Sequence, residues 1–125
     1  MAVLLDTHIL IDLFERAGEG LPPPVFQAAN ESAFASVASL WEMAIKSRLG
    51  KLPLKTRLSR IPGALDELGL RLLPINGRHV LADVEIAPAT RDPFDRLLLA
   101  QCQVEGLRLV TLDRALRQHP LAWRE

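Results

Sequence analysis

The residues of this chain with the clearest capacity for chemistry are carboxylates that lie far apart in the sequence. They stand beside short apolar runs in four separate segments: Asp6, Glu42, the pair Asp92 and Asp95, and Asp113. Like charges about 4 Å apart repel by roughly 4 kcal/mol at an effective dielectric constant near 20. A fold that gathers these groups must therefore protonate them, separate them or neutralise them with a cation.

A hard divalent cation is the ion that such a set would bind. Carboxylate oxygens without His or Cys ligands suit Mg²⁺ or Mn²⁺ rather than zinc. His8, His79 and His119 form no ligand pair at helical spacing, and we expect surface or core roles for them. A site of this kind acts on phosphodiesters, with water activated by the ion as the attacking group. Cys102 is alone in an apolar helical run, which predicts a buried side chain in a reducing compartment rather than a nucleophile.

Each acid also has a purely structural explanation. Asp95 falls at the third position of a predicted helix, where a negative charge favours the helix dipole. Glu42 can complete a capping box with Ser39 or pair with Lys46 four residues on. The other three can cap the helices that follow them, a role that contributes roughly 0.5–2 kcal/mol: Asp6, Asp92 and Asp113. For each acid taken singly, both explanations stay open.

The elements that must position these acids alternate along the chain. Short apolar runs predict buried strands at 2–5, 33–36, 71–73 and 107–112, with a further edge strand near the end. Helical periods predict helices at 7–14, 25–30, 40–49, 55–68, 76–84 and 92–105, and a short one from Asp113. Residues 85–91 form a predicted loop. This alternation is typical of a three-layer α/β/α domain with a four- to five-stranded, mostly parallel sheet.

The predicted topology brings the acids to one edge of the sheet. The carboxyl ends of parallel strands form the ligand-binding edge of such a sheet. Asp6 and Asp113 directly follow predicted strands, and the helix that begins at Asp92 starts at the same edge. Glu42 lies about one turn into the helix after the second strand. We therefore expect the five carboxylates to converge.

Length and composition set the class of protein. A chain of 125 residues with 49% hydrophobic and 24% charged residues predicts one soluble domain over residues 1–125. The first residues lack the pattern of a signal peptide or a membrane span, so we expect a cytoplasmic protein.

Fifteen basic and fifteen acidic residues give no net charge. One segment, residues 43–65, is basic without an acid, and it is either a solvated helix face or a surface for a polyanion: Lys46, Arg48, Lys51, Lys55, Arg57 and Arg60.

Four segments of the chain resemble the PIN-domain nucleases, and specifically the VapC-type toxins of prokaryotic toxin–antitoxin pairs. The segments are LLDTHILID at 4–12, SVASLWEMAIKSRLGKL at 36–52, RDPFDRLLLAQ at 91–101 and LVTLD at 109–113. They occur in the family's order and span nearly the whole chain. The resemblance implies a small cytoplasmic ribonuclease with a PIN-like α/β/α fold, usually dimeric. It also implies dependence on Mg²⁺ or Mn²⁺ and inhibition by a cognate antitoxin.

The resemblance assigns roles to individual residues. It implies that four acids are catalytic and hold the metal, with Asp92 as an accessory acid: Asp6, Glu42, Asp95 and Asp113. Thr7 and Thr111 match small hydroxyl residues that orient a carboxylate or a metal-bound water. Arg96 is a candidate for contacting phosphate or holding Asp92. Apart from the resemblance, the basic charge of residues 46–60, which include Lys46, makes that segment a candidate for binding the RNA backbone.

One position departs from the family pattern. Many relatives of this subgroup have a histidine before the Arg-Asp-Pro-Phe-Asp motif, where this chain has Thr90. The change puts a substrate contact at that position in doubt. The acid set is complete, so we still expect an active enzyme.

Two other classes of function are alternatives to a ribonuclease. A receiver-like signalling module would place two adjacent acids after its first strand and a lysine after its last strand. Here Asp6 is followed by Thr7, and no lysine occurs after Lys55. An inactive PIN scaffold would not need the complete acid set. Within the enzyme class, the chain is short for a flap-type DNA nuclease.

Apolar residues in the middle of the chain exceed what one helix face needs for the core. They are candidates for a dimer seam or an antitoxin groove, with core packing as the alternative: Trp41, Leu49, Leu52, Leu54 and Leu58.

Overall fold

A four-stranded, fully parallel sheet forms the middle layer of the fold. The computed structural model describes residues 2–85 and 87–125. Its strands have the order β3-β2-β1-β4, and each neighbouring pair is parallel. They are β1 (Val3–Leu5), β2 (Ala33–Ser36), β3 (Arg71–Leu73) and β4 (Arg108–Val110). The predicted three-layer α/β/α class is confirmed.

Helices follow the strands and cover the sheet. They are α1 (Thr7–Arg16), α2 (Pro23–Ala29), α3 (Val37–Arg48), α4 (Ile61–Glu67), α5 (Gly77–Leu81), α6 (Pro93–Glu105) and α7 (Arg114–Arg117). The helix predicted over 55–68 is in fact a 3₁₀ turn at Leu58–Arg60 followed by α4. Pro62 fits the first turn of a helix but not its interior, which fixes where α4 begins. The helix predicted to reach Val84 ends at Leu81, where Ala82 is extended.

Helix α3 begins at Val37, three residues before the start that the sequence pattern predicts. Ser36, the last residue of β2, is the N-cap, and its Oγ accepts a hydrogen bond from the Ala38 amide at 2.9 Å. The strand passes into the helix without a loop, so Ser39 lies inside α3 and is buried. The predicted capping box of Ser39 with Glu42 is therefore wrong, and the Glu42 carboxylate is left for other contacts.

Two apolar clusters divide the core, and β1 contributes to both. Val3 and Leu5 belong to one cluster together with residues of α1, while Leu4 belongs to the other together with residues of α6. Successive side chains of a strand point to opposite faces of its sheet. A strand covered by helices on both faces must therefore be apolar at every position, as the run at 2–5 indicated.

The end of the chain adds less to the sheet than predicted. Ala122 forms an isolated parallel bridge to Leu109, and the Trp123 amide donates to the Leu109 carbonyl at 2.8 Å. This contact extends the edge beyond β4 without forming a fifth strand. Within the predicted loop 85–91, Ile86 lies outside the described residues. No helix in the described ranges is long and apolar enough to cross a membrane.

Candidate active site

One open pocket of about 270 Å³ is lined by acids from all four segments that the sequence singled out. Three basic side chains, His8, Lys46 and Lys51, line it as well. The acids are Asp6, Glu42, Asp92, Asp95 and Asp113. The expected convergence of carboxylates at the carboxyl edge of the sheet is thus present in the structure.

Asp6 lies at the junction of β1 and α1 and is almost fully buried. Its Oδ1 accepts a hydrogen bond from the Thr7 amide at 2.7 Å, and its Oδ2 accepts one from Thr111 Oγ1 at 2.6 Å. Burial raises the pKa of the Asp6 carboxyl above its usual range, although His8 and the two hydrogen bonds oppose this shift. The side chain is held firmly at a position where its negative charge is costly.

Glu42 reaches the pocket from the second turn of α3. Its Oε1 accepts a hydrogen bond from Thr7 Oγ1 at 2.6 Å, and the same hydroxyl lies 2.9 Å from Ser39 Oγ. Its Oε2 pairs with Lys46 one turn further along the helix. Thr7 thus orients Glu42, while the neighbouring Thr111 orients Asp6.

Lys46 is a cation inside the carboxylate pocket. Its ammonium group pairs with Glu42 and lies 3.6 Å from Asp92 Oδ2, above the ring of Phe94. Partial burial alone would lower the pKa of Lys46, but the contacts with Glu42 and Asp92 outweigh burial and raise it. Lys46 therefore stays charged and supplies part of the positive charge that the pocket needs.

Asp92 and Asp95 begin α6 as predicted, with Asp92 as N-cap and Pro93 in the first turn. Asp92 Oδ1 accepts a hydrogen bond from the Phe94 amide at 2.8 Å. Asp95 is half-buried, and its pKa is raised to about 7 by burial and by the charges of Asp92 and Asp6. The pocket holds five acidic side chains against three basic ones, so its own basic residues do not balance its acids.

Thr90, where the sequence departs from the family pattern, has a structural role in this pocket. Its hydroxyl donates to Asp95 Oδ2 at 3.1 Å and accepts a hydrogen bond from the Asp92 amide at 3.1 Å. It thereby ties the loop before α6 to the carboxylate of Asp95. The sequence did not reveal this contact, because a threonine five residues before an acid has no distinctive pattern.

Asp113 stands at the exposed rim of the pocket. Its Oδ1 caps α7 by accepting a hydrogen bond from the Ala115 amide at 2.8 Å. The Asp113 amide donates to Thr111 Oγ1 at 3.1 Å. Thr111 therefore connects the innermost acid, Asp6, with the outermost one.

His8 is the site residue that sequence reasoning missed. Its Nε2 accepts a hydrogen bond from the Leu112 amide at 3.1 Å, so the proton of the neutral ring is on Nδ1. Nδ1 lies 3.5 Å from Asp6 Oδ2. The only available signal was its position in the first turn of the helix that Asp6 caps.

Other expectations fall outside the pocket. Arg96 is exposed and lines a neighbouring apolar groove with Trp41 and Phe94; no ion pair joins it to Asp92 in the part of the chain that the structure describes. The phosphate-binding role of Arg96 stays a prediction. His79 is buried and contacts Glu105 at 2.7 Å, which is a core role.

Cys102 is buried as predicted, and burial raises the pKa of its thiol well above the usual range. This shift suppresses the thiolate, which is the nucleophilic form.

The basic and apolar residues of the middle segment divide between two environments. Lys46 and Lys51 line the acidic pocket, and the other four basic residues are exposed. Trp41 and Leu49 are 57% and 63% exposed and remain candidates for an interface. The other three apolar candidates pack against the core: Leu52, Leu54 and Leu58.

The acids line one pocket but do not form a finished metal site. Within residues 2–85 and 87–125, no group of three or more His, Cys, Asp or Glu side chains is arranged to hold a metal ion. The acidic side chains nonetheless offer only oxygen donors, and burial together with the charges of Asp92 and Asp6 raises the pKa of Asp95 to about 7. Oxygen donors and an excess of acids over bases both fit a hard divalent cation.

Fold and site together define an α/β domain with a carboxylate pocket at the carboxyl edge of a parallel sheet, the usual place for ligand binding in such sheets. Residues 3–120 match the PIN domain family. The chain therefore belongs to the PIN domain family, whose members are generally metal-dependent nucleases that act on RNA. No protein of curated function matches the chain significantly.

Proposed function

We propose that this protein is a divalent-metal-dependent endoribonuclease of the VapC toxin type. The observation that carries the proposal is the convergence of five carboxylates, from four segments of a PIN domain, on one open pocket. Capping explains single acids, but it does not explain why Glu42, which caps nothing, also points into the pocket. Capping also gives no reason for the acids to share one pocket. In that pocket the pKa of Asp95 is raised to about 7.

The acid set divides into ligands and supports. Asp6, Glu42 and Asp95 would hold one Mg²⁺ or Mn²⁺ ion, directly or through water, and Asp113 would support a second position at the rim. Asp92 is an accessory, because its carboxylate already caps α6 and contacts Lys46. When bound, the ion lowers the pKa of water and stabilises negative charge on the phosphoryl oxygens.

The chain's own residues prepare this pocket. Thr7 and Thr111 fix the carboxylates of Glu42 and Asp6 by hydrogen bonds of 2.6 Å. His8 directs its Nδ1 proton at Asp6. Asp95 must release its proton when it becomes a ligand, so we expect metal binding to strengthen as the pH rises towards and above 7. The ammonium group of Lys46, which pairs with Glu42 and Asp92, would contact a phosphate of the substrate once the metal ion binds these carboxylates.

The direct test is incubation of purified protein with total RNA in Mg²⁺, in Mn²⁺ and in EDTA. We expect internal cleavage with either metal and none in EDTA, followed by gel electrophoresis and mapping of the new ends. Cleavage that persists in EDTA would exclude the metal mechanism. Cleavage of DNA but not of RNA would exclude the ribonuclease. An aspartyl phosphate formed from a phosphoryl donor would favour a receiver-like module instead.

The proposed toxin role implies two protein contacts, one with an antitoxin and one with a second copy of the chain. We propose a cytoplasmic toxin that forms a homodimer and is held inactive by a cognate antitoxin, as the sequence resemblance implies. Trp41, Leu49, Val80 and Leu81 are exposed apolar side chains that would suit such contacts. Expression of the chain alone should arrest growth, and co-expression of a short open reading frame adjacent to its gene should restore it. Light scattering of the purified protein reports the dimer.

Replacing Thr111 by valine should lower cleavage about 10- to 100-fold, the usual cost of losing a hydrogen bond to a metal ligand. Valine has the same shape but removes the hydroxyl that donates to Asp6 Oδ2. The readouts are kcat and the Mg²⁺ concentration for half-maximal activity. Thr111→Ser is the matched control, since it keeps the donor and should keep most of the activity. Equal activity of the two variants would show that the hydroxyl does not position Asp6.

A further inference from the structure

A second cleft of about 360 Å³ adjoins the acidic pocket and has a different chemical character. Its walls include Arg117, Trp123 and Arg124, with Thr111 and Leu112 on the side of the pocket. Sites for small ligands commonly occupy about 300–1,000 Å³ and combine apolar walls with a few placed polar groups. The size and lining of this cleft fall within that description.

The cleft and the acidic pocket share a wall at the carboxyl end of β4. Thr111 lines the cleft, and its hydroxyl donates to Asp6 Oδ2 in the pocket at 2.6 Å. Leu112 also lines the cleft, and its amide donates to His8 Nε2, on the pocket side, at 3.1 Å. The cleft and the acidic pocket therefore lie on either side of Thr111 and Leu112.

The two arginines of the cleft, Arg117 and Arg124, differ from Lys46 of the pocket in their ion pairing. Lys46 is paired with Glu42 and Asp92. No ion pair of the described residues involves Arg117 or Arg124, and both are exposed. Arg124 has a long contact of 3.5 Å from Nη2 to the His119 carbonyl. Glu125 also lines the cleft and offsets one of the two positive charges.

Trp123 supplies a fixed aromatic surface beside these charges. Its amide donates to the Leu109 carbonyl at 2.8 Å, and its side chain packs against the core cluster while also lining the cleft. Proteins that bind single-stranded nucleic acid combine cationic groups for the backbone with aromatic rings on which bases stack. Here both components occur within one cleft.

The acidic pocket by itself is a poor site for RNA. Its five carboxylates repel a phosphate backbone, and its best-placed cation is engaged by two of them. Even with a bound divalent ion, much of the affinity for a polyanion must come from basic groups outside the pocket, since phosphate contacts dominate nucleic-acid affinity. The adjoining cleft offers two such groups, because Arg117 and Arg124 take part in no ion pair of the described residues.

We propose that this cleft binds one unpaired nucleotide of the RNA strand next to the phosphate that is cleaved. Arg117 and Arg124 contact the backbone phosphate, and the base stacks on Trp123. The proposal rests on the proposed ribonuclease function and adds the place where the RNA strand leaves the pocket. Only an unpaired base can reach a ring at the side of a cleft, so the substrate is single-stranded there.

The test measures binding of a short, fluorescently labelled single-stranded RNA in Mg²⁺, with every variant built on Asp6→Asn to prevent cleavage. Arg117→Ala and Arg124→Ala should each weaken binding several-fold. Each should also reduce the slope of log Kd against log salt by about 0.7, the value for one phosphate contact on a single strand. Arg78→Ala is the matched control, because Arg78 is exposed on α5, after the strand at the opposite edge of the sheet. It should change neither quantity.

The stacking contact has its own readout. Trp123→Ala should weaken binding about 5- to 150-fold, whereas Trp123→Phe should keep most of the affinity. Because Trp123 also packs against the core, a second measurement avoids the risk of misfolding. The chain has two tryptophans, so Trp41→Phe leaves Trp123 as the sole emitter. Its fluorescence should be quenched when RNA is added.

Three results would contradict the RNA-binding cleft or distinguish it from the proposed nuclease activity. If both arginine variants bind RNA as Arg78→Ala does and Trp123 emission is unchanged, the cleft is not an RNA site, whatever the fate of the nuclease activity. If an oligo-aspartate peptide displaces the RNA and binds more tightly, the cleft is a protein-binding site instead. Arginine-dependent RNA binding by a wild-type protein that never cleaves RNA would support the cleft and refute the proposed nuclease.

Discussion

Asp6→Asn is expected to lower the rate of metal-dependent RNA cleavage by at least about 100- to 1,000-fold, the scale on which single electrostatic groups act in active sites. Asp6 is the most enclosed acid of the pocket and accepts hydrogen bonds from the Thr7 amide and the Thr111 hydroxyl. Asparagine has the same shape and keeps an oxygen for the Thr7 amide, so the cap of α1 survives. What is lost is the negative charge that would bind the cation.

The matched control lies on the same helix. Asp12 faces away from the pocket, accepts a hydrogen bond from the Gly20 amide and pairs with Arg16. Asp12→Asn should retain cleavage, while thermal unfolding followed by circular dichroism verifies that both variants are folded. Full activity of a folded Asp6→Asn protein would remove Asp6 from the mechanism.

Much of this pocket was predictable, because the placement of an acid depends mainly on the element before it. Asp6 follows β1 directly, and Asp92, Pro93 and Asp95 form the start of α6 as the sequence indicated. Parallel strands share one carboxyl edge, so identifying the strands was enough to bring distant acids together. The ends of the elements were less certain. Ser36 and Ser39 are chemically equivalent caps, and only the direct passage from β2 into α3 selects Ser36.

The contacts between elements could not be predicted. Lys46 was expected to pair within its own helix, yet it also reaches Asp92 at the start of α6. His8 was expected to have an ordinary role, yet the Leu112 amide, more than a hundred residues away in sequence, orients its ring towards Asp6. Such contacts depend on the relative placement of side chains from different elements, which no local pattern encodes.

Two acids of the pocket, Asp6 and Asp95, carry a cost in stability when they are ionised. The Asp6 and Asp95 carboxyls have raised pKa values because they are buried among other acids. A protein with no use for this charge would gain stability by replacing one of them. Retained, unfavourable charge in a cleft is typical of a functional site.

Asp95→Asn should therefore stabilise the metal-free protein at pH 8 while abolishing cleavage. The Asp95 carboxyl has a pKa of about 7 in the folded protein, above its ordinary value of 3.8. Between these two pH values the folded chain holds a proton that the unfolded chain has released, so the stability of the wild type falls as the pH rises through this window. Above pH 7 the penalty is complete. Asparagine does not ionise and avoids it.

Since Asp95 is only half-buried, solvent screening reduces the gain to about 1 kcal/mol, or roughly 3–6 °C in Tm for a domain of this size. Thermal unfolding in EDTA at pH 5 and pH 8 measures it, and the difference between variant and wild type should be clearly larger at pH 8, where the penalty is complete, than at pH 5, where only part of it is present. Asp83→Asn, at an exposed acid, should change Tm little at either pH.

Adding Mg²⁺ at pH 8 should then stabilise the wild type more than Asp95→Asn, since binding to the folded state alone raises stability. If Asp95→Asn is less stable than the wild type in EDTA at pH 8, the ionised Asp95 carboxylate stabilises the fold. Asp95 would then be a structural residue, and its repulsion with the other acids would give no reason to expect a cation.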